Sequence, residues 1–286
     1  MSTIPGKMLS VVNPADLGFV GMNDTLRGCE ISWSESGNES LPLLLLVHGL
    51  PFQKGMWSEV VPRLQRQFRT ICVDLPGFGE SAVSPEPPSM DAYADILAEL
   101  IARLGGKPAI VAGHSLGGYA LLNLASRFPT RLAGVVMVCS RATADAPDQV
   151  ANRLAMATRL RTESPDFVAE AMLPKMPRRD SMAPGLLARI RATMDPLRAD
   201  GIAWCQRAIA ARPDYSARLG SITLPALVIA GSHDQVVPLE ESGIMAANFR
   251  QGRLAVIEDA GHCPMLEKPR ETAEALLTWS RELRLA

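Results

Sequence analysis

Residues 111–118 constrain the fold more than any other part of the chain, because they carry the pattern Gly-x-Ser-x-Gly around Ser115. An apolar, strand-like run precedes this pattern and an apolar, helix-like run follows it. A sharp turn from strand to helix holds its central residue in a sparsely allowed backbone conformation and lifts the serine hydroxyl into a cleft. Gly113 and Gly117 are needed because a Cβ would collide where strand and helix pass closely. The pattern therefore predicts an accessible serine nucleophile.

A serine is a poor nucleophile at neutral pH, so the chain must also supply a base and a carboxylate that orients it. Four histidines are available, and elimination selects His262, which lies in a turn between an apolar run and the final helix. His114 lies within the serine turn, points away from its neighbour's hydroxyl and is interpreted as local packing. After His48 the loop backbone matters more than the imidazole, and His233 is interpreted as shaping a turn.

The carboxylate is selected by asking which acidic residue follows a strand-like run in the same half of the sheet. Asp234 follows the apolar run 226–230 and gives the chain order Ser, Asp, His. Asp145, which follows the run 135–139, is the alternative acid. Asp74 also ends a strand-like run, but it precedes a glycine-rich turn and is predicted to brace that turn through backbone hydrogen bonds.

Acyl transfer also needs hydrogen-bond donors aimed at the oxygen that becomes negative in the tetrahedral intermediate. The first predicted donor is the backbone N–H of Leu116, which begins a helix and has no earlier carbonyl partner. The second is the N–H of Leu50, in the loop after the apolar run 43–47. Pro51 stiffens that loop and has no N–H of its own.

Four separated motifs together resemble the α/β-hydrolase superfamily, and the resemblance covers nearly the whole chain. They are residues 48–51, residues 74–81, residues 113–118, and Asp234 with residues 261–262. The resemblance implies an α/β fold with a mostly parallel eight-stranded sheet, flanking helices and a helical cap inserted after the sixth strand. The motifs are similar to the branch of carboxylesterases, methyl-ester esterases, enol-lactonases and carbon–carbon bond hydrolases. Haloalkane dehalogenases and epoxide hydrolases carry aspartate at the turn, so Ser115 argues against both.

The domain organisation follows from a change of pattern along the chain. Strand-like and helix-like runs alternate up to residue 140, whereas residues 141–220 contain no convincing strand and are punctuated by prolines. We expect a core domain formed by 1–140 and 221–286, and a helical cap formed by 141–220. The helices predicted in the cap cover residues 148–160, 166–173, 186–194 and 202–211.

Composition limits the class of protein and its surroundings. The chain has 286 residues, 47% of them hydrophobic and 21% charged, which is ordinary for a globular protein that buries a large core. A formal net charge of -1 gives no reason to expect nucleic acid as a partner. No secretory signal is recognised, and the apolar segment 41–50 is too short to span a membrane. Five cysteines without metal-like spacing favour a reducing cytoplasm, and no metal or cofactor is expected.

The cap supplies the available information on substrate. Its unbranched, polarizable methionines suit an adaptable apolar wall, with ordinary core packing as the alternative; they are Met156, Met172, Met176, Met182 and Met194. Residues 141–220 also carry thirteen basic and nine acidic side chains. This excess would steer an anionic substrate or an acidic carrier protein, or it is a solvated surface whose arginine stems cover apolar residues.

Two classes of function remain open from the sequence. The favoured one is a cofactor-independent serine hydrolase that cleaves a small to medium, partly apolar carboxylic ester through an acyl-enzyme, with Ser115, Asp234 and His262 as the triad. Lactones or enol-lactones come second as substrates, and carbon–carbon cleavage of diketones third. The other class is a ligand-binding receptor on the same scaffold. The sequence leaves both a monomer and a homodimer open.

Overall fold

The computed structural model describes residues 20–180 and 184–283. The apolar runs of the sequence form one sheet of eight strands. The strands are β1 (Val20–Leu26), β2 (Cys29–Ser36), β3 (Leu43–Val47), β4 (Arg69–Val73), β5 (Ala109–His114), β6 (Leu132–Val138), β7 (Ala226–Gly231) and β8 (Gly252–Ile257). Their order across the sheet is β1-β2-β4-β3-β5-β6-β7-β8. Strands β4, β3 and β5 to β8 pair in parallel, whereas β2 pairs antiparallel with both of its neighbours. The predicted mostly parallel, eight-stranded fold is confirmed.

The sequence reasoning did not locate the hairpin formed by β1 and β2. Its turn is Arg27 and Gly28, with φ of 50° and 72°, and Leu26 pairs directly with Cys29. Two residues with positive φ form the tight turn that matches the twist of paired strands. A glycine at the turn, followed by the buried apolar residues Ile31 and Trp33 at alternate positions, was the available signal.

Ten α-helices accompany the sheet within the described residues. They are α1 (Val61–Leu64), α2 (Met90–Arg103), α3 (Leu116–Arg127), α4 (Pro147–Arg159), α5 (Asp166–Met172), α6 (Pro184–Ala192), α7 (Ala199–Ala210), α8 (Leu239–Asn248), α9 (Pro264–Glu267) and α10 (Pro269–Ser280). None of these helices combines the length and apolar character needed to cross a bilayer.

Both faces of the sheet are buried, which explains why its central strands read as continuous apolar runs. Successive side chains of a strand point to opposite faces. Leu45 and Val47 of β3 therefore join one apolar layer with α2 and α3, whereas Leu44 and Leu46 join the other with α10. Because both layers are packed, the free space for chemistry lies at the ends of the strands.

The segment between β6 and β7 contains α4 to α7 and, among its described residues, no strand. The bounds of these helices lie within a few residues of the predicted ones, so the switch from strands to helices was readable from the sequence. Met182, one of the methionines for which the sequence leaves a pocket wall and core packing open, lies outside the described residues.

A buried ion pair joins the two ends of this helical segment, which are the stretch just after β6 and the stretch just before β7; these are called its stems. Arg212 binds Asp145 at 2.7 Å, and both side chains are 3% exposed. The N–H of Tyr215 donates to the carbonyl of Ala142 at 2.9 Å, which adds a backbone contact between the same stems. The second carboxylate oxygen of Asp145 binds Arg153. Asp145, the alternative acid of the sequence analysis, is therefore held by two arginines rather than by an imidazole.

Candidate active site

Ser115 lies between the end of β5 and the start of α3, at φ 47° and ψ -110°. This conformation is rare for a residue with a side chain, so the predicted sharp turn is present. Hydrogen bonds to neighbouring residues keep Ser115 in this conformation. The N–H of Ser115 donates to the carbonyl of Val138 at 3.0 Å. The hydroxyl of Ser140 donates to the Ser115 carbonyl at 2.8 Å. Both contacts come from the end of β6, so neighbouring strands fix the turn.

The glycines of the motif are required by contact distances. A Cβ on Gly113 would lie 2.4 Å from the carbonyl oxygen of Gly117, and one on Gly117 would lie 2.7 Å from the carbonyl oxygen of Val47. The close approach predicted for both glycines is confirmed. A Cβ on Gly49 would lie 3.1 Å from the Cβ of Ser115. The loop after β3 therefore passes directly beside the serine.

Asp234 and His262 meet at the same edge of the sheet, after β7 and β8. The Nδ1–H of His262 donates to Oδ2 of Asp234 at 2.8 Å, and each side chain is only 1% exposed. The other carboxylate oxygen accepts the N–H groups of Val236 at 2.7 Å and Val237 at 2.9 Å. Burial acts to raise the pKa of Asp234, but His262 and these N–H groups hold it below its ordinary value. An ionised acceptor at Nδ1 leaves Nε2 of His262 free to take a proton.

His114 connects the serine turn to the His262 loop. Its Nε2–H donates to the carbonyl oxygen of His262 at 2.8 Å, and the centroids of the two rings are 4.8 Å apart. Burial, followed by the charge of His262, lowers the pKa of His114 to about 3. The side chain therefore stays neutral. The interpretation that His114 packs locally is corrected, because its hydrogen-bond partner, His262, is 148 positions away in the chain. No spacing in the sequence indicates this contact.

Glu267 holds the loop around His262 from the other side. Its Oε1 accepts the N–H groups of Gly261 at 2.9 Å and Cys263 at 3.3 Å, while Oε2 accepts the N–H of Arg178 at 2.7 Å. Burial raises the pKa of this carboxyl group, although the three N–H groups oppose the rise. Sequence reasoning missed Glu267, and its position at the end of the short helix α9 gave no signal.

The segment between β6 and β7 also contacts the His262 loop. The N–H of His262 donates to the carbonyl of Met176 at 2.7 Å. A Cβ on Gly261 would lie 2.4 Å from the carbonyl carbon of Pro177, so only glycine permits this approach. The position of His262 therefore depends on residues 176–178 as well as on the core.

The two predicted donors are backbone N–H groups near Ser115. Leu116 follows Ser115 in the chain, and Leu50 follows Gly49, which approaches the Ser115 side chain. Within residues 20–180 and 184–283, neither donates to a backbone carbonyl. Leu116 is the first residue of α3, where helical N–H groups have no internal partner. Within the described residues, both N–H groups therefore lack a backbone acceptor, and their role as donors to a substrate oxygen stays a prediction.

His48 ties the Leu50 loop to the loop after β4. The N–H of Leu75 donates to Nε2 of His48 at 2.9 Å, and Nδ1 bonds the carbonyl of Gly49 at 2.9 Å. Accepting at Nε2 requires that Nδ1 carry the hydrogen, and burial lowers the pKa of the ring. The expectation that the loop backbone matters more than the imidazole is corrected, because the His48 imidazole holds that backbone.

Asp74 braces the glycine-rich turn, as predicted. Its Oδ2 accepts the N–H of Glu80 at 3.0 Å, and its Oδ1 accepts the N–H of Lys54 at 2.6 Å. The Lys54 ammonium also binds Asp74 at 2.7 Å. Sequence reasoning missed this lysine, which joins the loop after β3 to the loop after β4.

A thiol lies beside the Asp234–His262 pair. Cys139 follows β6 directly, with φ 45°, and is fully buried. The Sγ atom of Cys139, a carboxylate oxygen of Asp234 and a ring nitrogen of His262 all lie within 4.8 Å of one another. Atoms of these types can bind a metal ion. Burial, and then the charge of Asp234, raise the pKa of this thiol well above its ordinary value. The spacing of cysteines along the chain did not predict this cluster.

A cavity of about 1090 Å³ lies at the opposite end of the sheet. Leu43, Leu132 and Pro225 line it, at the start of β3, at the start of β6 and just before β7. The length of the strands therefore separates this cavity from Ser115, and it takes no part in the site described above.

Comparison with known proteins identifies the family. The sequence model of the alpha/beta hydrolase fold family matches residues 42–269, so the chain belongs to the alpha/beta hydrolase family. A thermophilic esterase from Thermogutta terrifontis is 34% identical with a TM-score of 0.88, over 93% of this chain and 100% of that one. The enol-lactonase from Burkholderia xenovorans is 26% identical with a TM-score of 0.83, over 91% and 100%. The pimeloyl-[acyl-carrier protein] methyl ester esterase of Neisseria meningitidis is 27% identical, over 80% and 89%.

Proposed function

We propose that this chain is a cofactor-independent serine hydrolase that cleaves carboxylic esters through an acyl-enzyme. The observation that carries the proposal is the buried 2.8 Å hydrogen bond between His262 and Asp234, at the sheet edge where Ser115 occupies its strained turn. Neither a packing role nor simple ligand binding requires a strained serine beside a buried carboxylate–imidazole pair. Esterases among the structural and curated relatives support the same class of reaction.

The chemistry follows from these positions. The Ser115 oxygen attacks the ester carbonyl carbon while its proton moves to Nε2 of His262, and Asp234 stabilises the imidazolium. The N–H groups of Leu50 and Leu116 donate to the oxygen that becomes negative. When the tetrahedral intermediate collapses, His262 passes the proton to the leaving alkoxide. A water molecule, deprotonated by the same imidazole, then attacks the acyl-enzyme and releases the acid.

We assign residues 141–220 as a cap over this site and residues 1–140 with 221–286 as the core; residues 1–19, 181–183 and 284–286 of these ranges lie outside the described residues. Two partly buried cap side chains, Met172 and Leu197, pack against both apolar layers. Since the two layers are separated by the sheet, a residue that contacts both is suited to bridge them at the edge of the sheet. Met176 and Met194 are 1% exposed and serve the core rather than the wall of a pocket.

The substrate class favoured by the charges is a small neutral ester. Most arginines of the cap already pair with carboxylates, which reduces the positive field available for an anionic substrate or an acidic carrier protein. The paired arginines are Arg141, Arg153, Arg159, Arg178, Arg189, Arg191, Arg198 and Arg212. An enol-lactone is the second candidate, supported by the likeness to the enol-lactonase over the whole length of that chain.

Labelling with a fluorophosphonate probe tests the proposal. The probe should attach to Ser115 in the native chain, and Ser115→Ala should abolish labelling and lower kcat for p-nitrophenyl esters by about 10⁴-fold or more. Circular dichroism of the variant controls for folding. Absence of labelling on a folded native chain would favour the receptor alternative. A panel of p-nitrophenyl esters of increasing acyl length, compared with lactones and diketones by kcat/KM, ranks the substrates.

A further inference from the structure

We propose that Cys139, Asp234 and His262 form an inhibitory binding site for Zn²⁺ or a chemically similar thiophilic cation. The binding site follows from the geometry alone, whereas the inhibition rests on the proposed function of His262 as the base. The three residues follow β6, β7 and β8, which are neighbours in the sheet. Adjacent strands therefore hold three different ligand types at one point, although the residues are far apart in the chain.

The distances suit a small tetrahedral ion after a modest contraction. Zinc bonds of about 2.0–2.3 Å in a tetrahedral site separate neighbouring ligand atoms by about 3.4 Å. The ligand atoms of the cluster lie within 4.8 Å of one another, and the Asp234–His262 pair is at 2.8 Å. For a separation of about 3.4 Å, the aspartate–histidine contact must widen by about 0.6 Å, and the thiol must approach by up to about 1.4 Å.

The donor set selects the metal. A thiolate, an imidazole and a carboxylate match Zn²⁺, whereas Mg²⁺ and Ca²⁺ prefer sites built from oxygen alone. Within residues 20–180 and 184–283, no other group of three histidine, cysteine or acidic side chains has this spacing. Inhibition by zinc through a defined protein site is therefore predicted to depend on Cys139.

Binding rearranges two protons. The S–H proton of Cys139 leaves to solvent as the sulfur–zinc bond forms. The hydrogen on Nδ1 of His262 is replaced by zinc, and the neutral ring then carries its hydrogen on Nε2. An Nε2 that already holds a hydrogen cannot accept the proton of Ser115, so the base is switched off. Removal of zinc restores the Nδ1–H and the bond to Asp234.

The burial of the cluster makes the inhibition slow. Cys139 is fully buried, and the side chains of Asp234 and His262 are each 1% exposed. An ion reaches these ligands only when the His262 loop moves away from its clamp on Glu267 and Met176. Slow onset separates this site from exposed carboxylates, which exchange metal rapidly.

The first test measures ester hydrolysis after incubation with micromolar ZnCl₂, with each variant referred to its own zinc-free rate. The native chain should lose activity slowly and regain it in EDTA. Cys139→Ser should raise the zinc concentration for half inhibition by at least about tenfold, because losing even a residue that only supports a metal ligand costs about 10–100-fold in affinity. Cys263→Ser is the matched control, because this buried thiol adjoins His262 in sequence but lies outside the cluster. Equal sensitivity of native chain and Cys139→Ser would overturn the proposal.

The second test reads the metal directly and does not need activity. Co²⁺ should produce a cysteinate-to-cobalt absorption in the near ultraviolet in the native chain and in Ser115→Ala, and not in Cys139→Ser or Cys139→Ala. Circular dichroism verifies that at least one of the Cys139 variants folds. Absence of this absorption in the native chain would overturn the metal site. If the absorption is present and the chain hydrolyses no ester, the proposed function fails while the site stands.

Discussion

Acidification should destabilise the folded chain through His114, which is buried and held neutral beside His262. Its folded pKa is about 3. In the unfolded chain an imidazole titrates at about 6.5. The unfolded state therefore binds one more proton than the folded state between these two values, so stability falls as the pH falls through this window.

The size of the effect follows from the two pKa values. At about pH 5 the unfolded ring is protonated and the folded ring is not, and the free energy of unfolding drops by about 2 kcal/mol relative to pH 7. The folded ring stays neutral over this whole interval, because its pKa of about 3 lies well below 5. The assay is urea unfolding followed by tryptophan fluorescence at the two pH values.

His114→Gln supplies the comparison, because a glutamine amide still donates a hydrogen bond but does not titrate. The pH dependence of the variant should be flatter than that of the native chain by about 2 kcal/mol over the same interval. His48, whose pKa is also lowered by burial, contributes equally to both proteins and cancels. Parallel pH dependence of the two proteins would refute the assignment of His114 as a buried neutral ring.

Four further predictions concern the acids and the cap. Glu267→Gln should lower kcat by about ten- to a hundredfold with a smaller change in KM, because a misplaced base slows the chemical step, and ester kinetics measure this. Asp145→Asn should reduce the free energy of unfolding by about 3 kcal/mol through two unpaired arginines, while the folded fraction keeps its kcat. Asp234→Asn should reverse the pattern, with a loss of about 10⁴ in kcat and a nearly unchanged Tm. Met172→Ala should change the preference for acyl length, and Met176→Ala should lower stability without changing that preference. Equal shifts in preference would contradict the proposal that Met172, unlike Met176, contacts the acyl group of the substrate.

The positions of Ser115, Asp234 and His262 at one edge of the sheet were readable from the sequence, because each follows an apolar run. In a parallel sheet the carboxyl ends of the strands share one edge, so residues just after those runs meet in space. The same reasoning predicted free donors at Leu50 and Leu116. The sharp turn at Ser115 was readable as well, since its glycines report a backbone contact that no other residue allows. The hairpin of β1 and β2 escaped because short alternating strands carry a weaker signal.

The supporting contacts of the site were decided only by the tertiary structure. His114 bonds a residue 148 positions away. Cys139 meets Asp234 and His262 only because β6, β7 and β8 are neighbours in the sheet. Glu267 accepts N–H groups from both sides of the base and from Arg178. Strand position and apolar pattern are local properties that a sequence displays directly. Which side chains meet across neighbouring loops depends on strand order, loop path and rotamer, and these are properties of the packed chain alone.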